Sequence, residues 1–153
     1  MRAAAILLSV AAMAPAVSRA QDGPHYVSAK DLAAKVAKTT DGLVNCAIPT
    51  GPGAQMLIAR REKTGEVEVH AKLADEFIVQ AGNATVLVGG TVEGGRDTAP
   101  GERRGGSIVG GTRYPLAPGD VLWIPAGQPH QVEVAAGGSF TYVVAKFETR
   151  PQP

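Results

Sequence analysis

From Gln55 onward the chain alternates apolar and polar residues with a period of two. Gln55 to Arg61, Gly65 to His70, Asp75 to Gln80 and Thr85 to Val88 read as strands with one face turned to a core. Val67 and Val69 fall opposite Glu68 and His70, and Asp75, Phe77 and Val79 share a face. Ser107 to Ile108 and Arg113 to Leu116 predict two short strands. Val121 to Ile124 is β-branched, aromatic or aliphatic throughout, as expected of a buried strand. Gln131 to Val134 alternates again, and Ser139 to Phe147 is the last strand. On that strand Tyr142, Val144 and Lys146 oppose Val143, Ala145 and Phe147, and either set could line an interior. Lys146, at the strand end, is expected at the solvent rim. Glu62-Lys-Thr-Gly65 and Ala81-Gly82-Asn83 predict hairpin turns.

One stretch, residues 28–38, carries the 3.6-residue period instead. Ser28 is placed to cap it with Asp31 three residues on. Ala29, Leu32, Ala33, Val36 and Ala37 share a face, while Lys30, Asp31, Lys35 and Lys38 point to water. Such a helix is expected against the outside of the strands or against a second subunit.

Composition agrees with the strand pattern. Among 153 residues there are 19 glycines and 11 prolines but only 5% aromatics, which favours many short strands and turns in one domain. Residues 1–20 resemble a secretory leader: Arg2 starts it, Ala3 to Ala14 is the apolar core, and Ser18-Arg-Ala20 is a small-x-small cleavage site. The apolar run is too short for a membrane span, and Pro15 interrupts its end. Cleavage would remove Arg2 and Arg19 and shift the formal charge from +1 to −1. Neither value supplies a field that attracts nucleic acid or an anionic membrane. Cys46 is the single cysteine, so it forms no disulfide within the chain. It reads as a small buried apolar residue between Val44 and Ile48.

The chemistry gathers in two stretches. Gly119-Asp-Val-Leu-Trp-Ile-Pro-Ala-Gly-Gln-Pro-His130 runs strand, turn, strand, with Pro125, Gly127 and Pro129 fixing the turn. It resembles the second motif of the cupin superfamily, whose histidine is a metal ligand inside a small β-barrel. Glu68-Val-His70-Ala-Lys-Leu-Ala-Asp75, continuing to Gly82, keeps the spacing of the first cupin motif with acidic residues at two positions. A second register would bring in Lys72 and Glu76 but shortens the final spacer by one. The first is preferred, because a one-residue slip reverses every side chain in a strand. The likeness covers roughly Gly65 to Phe147 and is greatest to small secreted bacterial cupin-domain proteins.

That resemblance implies an all-β, cupin-type double-stranded β-helix (jelly-roll) barrel with one short N-terminal helix. The divisions are a signal peptide at 1–20, an N-terminal segment at 21–54, a barrel at 55–147 and a tail at 148–153. It implies that Glu68, His70, Asp75 and His130 meet inside. Imidazole and carboxylate donors suit a divalent transition metal, Fe, Mn, Zn, Ni or Cu. Open coordination positions would serve a metal-dependent oxygenase, isomerase or lyase acting on a small organic molecule. The alternative is a non-catalytic barrel that binds a small ligand and whose metal site is degenerate. A third reading is a structural role through a homodimer. Gly89 to Gly111 holds five Gly-Gly or Pro-Gly pairs and three arginines. It reads as a surface loop, or as a flap presenting an arginine to an anionic ligand at the barrel mouth.

The leader places the protein in the periplasm or outside the cell. Protein isolated from its native host should therefore begin at or near Gln21. N-terminal sequencing or intact mass checks this, and a full-length cytosolic product would contradict it.

Overall fold

The computed structural model describes residues 24–51 and 54–149. The expected leader, residues 1–20, lies outside the described residues, as does the tail from 150 onward. The described chain holds one helix, α1 (Ala29–Lys35), and thirteen strands. These are β1 (Leu43–Ile48), β2 (Gln55–Arg61), β3 (Glu68–His70), β4 (Leu73–Gly82), β5 (Ala84–Val88), β6 (Thr91–Glu93) and β7 (Arg96–Ala99). There follow β8 (Glu102–Arg104), β9 (Ser107–Val109), β10 (Thr112–Leu116), β11 (Val121–Ile124), β12 (His130–Glu133) and β13 (Phe140–Glu148). No described helix is long and apolar enough to cross a membrane.

Two antiparallel sheets face each other as a jelly roll. One has the order β1-β2-β13-β4-β11, the other β10-β5-β12-β3-β8-β7, and β6 pairs with β9 separately. The inner faces meet in a core of Ala59, Phe77, Val79, Val86, Leu116, Ile124, Val132, Phe140, Tyr142 and Val144. On β13 the inward set is thus Phe140, Tyr142, Val144 and Lys146. The strand before it, β2, turns Leu57, Ala59 and Arg61 the same way.

Helix α1 is shorter than 28–38. Ser28 caps it, accepting from the Asp31 amide and donating to its carboxylate. The backbone leaves helical angles at Val36. Val36 packs with Ile58, Val143, Leu32, Val44, Cys46, Ile48, Met56 and Ile78 on the outer face of the first sheet. Cys46 is half-buried in that layer, its thiol donating to the Lys35 carbonyl. β1, assigned from sequence to the segment before the barrel, pairs with β2 along its full length and belongs to the sheet.

Both expected hairpins are crossings between sheets. After Arg61 the chain docks on β12: the Gly65 amide donates to the Val132 carbonyl, and Thr64 exchanges hydrogen bonds with Val134. β2 and β3 therefore join different sheets. At the second site Gly82 still pairs with Phe140 while Ala84 already pairs with Leu116 in the opposite sheet. Such a corner needs a bend no hairpin makes. Gly82 takes φ +71°, and a Cβ there would lie 1.9 Å from the Ser139 carbonyl oxygen.

Val121 to Ile124 is not a buried strand. β11 is an edge with Leu122 and Ile124 inward, but Val121 and Trp123 are exposed, because the layer containing α1 does not extend over them. The Gly89–Gly111 stretch is a long β-arm, not a surface loop. β6 pairs with β9 and β7 with β8, and glycine pairs with positive φ interrupt the two strands at matching levels. At Gly106 an added Cβ would lie 2.4 Å from the Glu93 carbonyl oxygen. β8 then pairs with β3 and lays the arm along the barrel.

Phe140 is fully buried and stacks on Tyr142 with ring centroids 4.7 Å apart. Phe140→Ala should lower stability by about 3–5 kcal/mol, as for other fully buried aromatic side chains, with little change in far-UV circular dichroism. Urea denaturation measures it.

Candidate functional site

Cross-strand register builds the polar end of the barrel. In an antiparallel pair, directly opposed residues point to the same face. His130 lies opposite Glu68, Glu68 opposite Arg104, and His70 opposite Glu102. In the facing sheet Lys146 lies opposite Asp75. Arg61 enters from β2. Glu68, His130, Arg104, Asp75, Lys146 and Arg61 line a cavity of about 100 Å³ with Tyr142, Phe77, Leu57, Val132 and Val144, and His70 and Glu102 adjoin it through contacts to Lys146 and to each other. At ~30 Å³ per water, the cavity has room for a few waters or a small molecule.

His130 is 3% exposed. Its Nδ1 lies 3.2 Å from the Gln128 carbonyl, which only accepts, so Nδ1 carries the ring proton. Burial pushes the imidazole below the ordinary histidine range, so the ring is neutral at pH 7. Nε2 then offers a lone pair. It is buried and has no hydrogen-bond partner among the described residues. Asp75 Oδ2 is 3.7 Å away and Glu68 Oε2 is 4.0 Å away.

His70 is held at both nitrogens. Nδ1 lies 2.6 Å from Glu102 Oε2, and Nε2 lies 3.1 Å from Lys146 Nζ. Its carbonyl accepts from the Gly127 amide, which ties β3 to the turn carrying His130. Burial works against a charge on His70, while the Asp75 and Glu68 carboxylates, 3.5 and 3.4 Å from Nε2, favour one; with Nε2 accepting from the Lys146 ammonium the ring is neutral. The gap between Nζ and Nε2 holds one hydrogen, so a proton on Nε2 and the Lys146 contact exclude each other.

The carboxylates are ionised. Burial opposes this at Glu68, but a hydrogen bond with His70 and the charges of Arg104 and Arg61 hold its carboxyl far below the usual range. Arg61 reaches it at 3.0 Å and also donates from Nε to the Tyr142 hydroxyl at 2.9 Å; Arg104 makes a second ion pair. Asp75 is likewise held down, against burial, by His70 and by Lys146, whose Nζ sits 2.7 and 2.8 Å from its two oxygens.

The sequence predicts that Glu68, His70, Asp75 and His130 meet, and the structure brings the two imidazoles within 3.4–4.0 Å of both carboxylates. Asp75 points inward with Phe77 and Val79. In the second register, Glu76 sits a residue out of phase on β4 and Lys72 is exposed. Glu68, His70 and His130 each offer a donor atom within 4.8 Å of the others. Lys146 is not at the solvent rim. Its side chain is 14% exposed and lies inside. Arg61 and Glu102 are site residues the sequence reading does not single out, while Tyr142 belongs to one of two alternative lining sets and Arg104 is one of three arginines on the connection. Parity along β2 and β13 signals Arg61 and Tyr142, because they share the faces of Leu57 and Val144. Nothing local marks Glu102. Of the arm's arginines, Arg104 turns to Glu68, while Arg103 bonds Asp97 and the Gly94 carbonyl outside.

Solved structures superpose on this barrel. One is the cupin domain of Schizosaccharomyces pombe Cnp3, at 10% identity and TM-score 0.52, covering 70% of this chain and 65% of that one. TT1209 from Thermus thermophilus matches at 16% identity and TM-score 0.57, covering 82% and 98%. The cupin-2 domain protein Rru_A2000 from Rhodospirillum rubrum matches at 16% and TM-score 0.51, covering 73% and 64%. The chain has the cupin fold. It spans slightly under two thirds of the Cnp3 and Rru_A2000 chains. Residues 105–150 match the family of AraC-like ligand binding domains. The chain's sequence matches no curated protein.

Depressed carboxyl pKa values add stability that is complete above the unfolded values of about 4 and is lost as pH falls toward the folded ones. Stability should thus decline steadily from about pH 5 downward. The double variant Asp75→Asn/Lys146→Met should show a shallower decline. Urea midpoints at pH 7, 5, 4 and 3 measure both slopes, and equal slopes would contradict the assignment.

Proposed function

We propose that this cupin binds one divalent transition metal through Glu68, His70 and His130, and that a small-molecule ligand reaches the metal from the cavity. The observation that carries this reading is the buried, unpartnered Nε2 of His130. A polar atom left without a partner in a buried site is costly unless something occupies it. Its lone pair, the facing Glu68 oxygen and His70 Nε2 form a two-nitrogen, one-oxygen donor set of the kind that holds Fe, Mn, Zn, Ni or Cu. Glu102 fixes the His70 ring from behind, as a carboxylate commonly does for a metal-bound histidine.

The residues fit such an ion, which when bound would act as a Lewis acid on an oxygen-bearing ligand. The protein supplies the rest. Arg61 and Arg104 orient Glu68. Phe77, Leu57, Val132 and Val144 form an apolar floor that limits ligand size and excludes bulk water. Tyr142 accepts from Arg61 and keeps its own hydroxyl proton for a ligand acceptor. An oxygenase, isomerase or lyase reaction is compatible with this inventory.

A second reading, a metal-free barrel that binds a small ligand, is favoured by one observation. Arg61, Arg104 and Lys146 already match the charges of Glu68, Asp75 and Glu102. Export and a homodimer remain part of the proposal, resting on the leader sequence and on the sheet edges at β1 and β11.

Chelator-stripped protein loaded separately with Fe, Mn, Zn, Ni and Cu should retain about one metal per chain for at least one of them. His70→Ala and His130→Ala should each lose that metal while keeping the parent's circular dichroism. Elemental analysis after desalting decides. Equal metal content in all three proteins would replace the metal reading with the metal-free one.

A further inference from the structure

Lys146 occupies the space that His70 would need in order to ligate a metal. Its ammonium sits 3.1 Å from His70 Nε2 and 2.7 Å from Asp75 Oδ1. His70 Nδ1 is committed to Glu102 at 2.6 Å, so Nε2 is the ring nitrogen left to ligate a metal. An imidazole nitrogen has one lone pair in the ring plane. It accepts one hydrogen bond or binds one metal, not both. The position of Lys146 is set by the backbone. It stands directly across from Asp75 on paired strands, and the two side chains point to the same face. Both are largely buried, which leaves the ammonium few alternative partners of equal strength.

We propose that Lys146 is a built-in competitor for the metal: its ammonium holds His70 Nε2 and Asp75 when no metal is bound, and must leave Nε2 before a metal can engage the triad. The inference rests on the metal reading above and adds an affinity-setting residue to it. Departure of the ammonium also releases Asp75. Its Oδ2 lies 3.5 Å from His70 Nε2 and 3.7 Å from His130 Nε2, so the freed carboxylate faces the same point as both rings. A lysine that merely braced β13 against β4 would be neutral or helpful to the metal site. A competitor is harmful to it, and the sign of the effect separates the two roles.

The test is titration of chelator-stripped full-length protein with Zn²⁺ at one fixed pH, against a competing indicator. Parent, Lys146→Met and Asp75→Asn/Lys146→Met are compared, with thermal melts as a check of folding. The double variant removes the buried ion pair as a unit, so no unpaired carboxylate remains if the single variant folds poorly. Both variants should bind about one Zn²⁺ per chain at least tenfold more tightly than the parent. Binding by the variants with none by the parent supports the same competition. Equal or weaker binding in the variants overturns the inference and leaves the metal reading standing. A gain in Lys146→Met that disappears in the double variant assigns the effect to Asp75 and also overturns it. No Zn²⁺ binding by any of the three proteins overturns both readings.

Discussion

Charge burial governs this barrel. Six acidic or basic side chains and two imidazoles cluster at a cavity of about 100 Å³, where an unpaired charge would cost several kcal/mol. The fold meets that cost through sheet register. Asp75 and Lys146 are directly opposed on β4 and β13, and Glu68 and Arg104 on β3 and β8. These two ion pairs are thus cross-strand neighbours, placed by the same backbone ladder that closes the sheets, while Arg61 reaches Glu68 from the facing sheet. A slip of one residue in either ladder would turn one member of a pair to the outside and leave the other charged and alone. The polar cluster therefore selects the register as much as the apolar core below it does.

The arm from Gly89 to Gly111 is where this constraint shows in sequence composition. Glu102 and Arg104 must reach β3 from a segment that leaves the barrel after β5 and returns to it at β10. Glycine pairs with positive φ interrupt the arm, with the Gly94-Gly95 and Gly105-Gly106 pairs facing each other. The close approach of Gly106 to the Glu93 carbonyl leaves no space for a side chain there. An unusual glycine content thus serves the site indirectly. It lets a long hairpin change course and supply two charged residues to the barrel mouth.

Both histidines present Nε2 inward because each Nδ1 is tied to an acceptor, Glu102 for His70 and the Gln128 carbonyl for His130. The two differ in what meets Nε2. At His70 it is an ammonium and at His130 it is nothing among the described residues. That asymmetry makes the site neither a completed ion-pair network nor a site in which every donor stands ready for a metal. It also gives each imidazole a different titration. Carboxylates lift His70, while burial lowers His130.

The strand periods, the turn after Ile124 and the inward positions of Glu68, His70, Asp75 and His130 were all legible in the sequence. They depend on local rules: a period of two along a strand, and turn residues with restricted backbone angles. The same rules misread Glu62–Gly65 and Ala81–Asn83 as hairpins, because the choice of sheet is made by distant partners, β12 for one and β13 with β10 for the other. They misread Lys146 as a solvent residue for a related reason. A lysine at a strand end goes inside only if a buried carboxylate waits across the ladder, and Asp75 lies 71 residues away. Glu102 and Arg104 carry no local mark, since their inward direction follows from β8 pairing with β3. Local periodicity determined which faces could form a site. Long-range pairing decided which charges fill it, because a buried charge is tolerated only where the tertiary structure brings its partner.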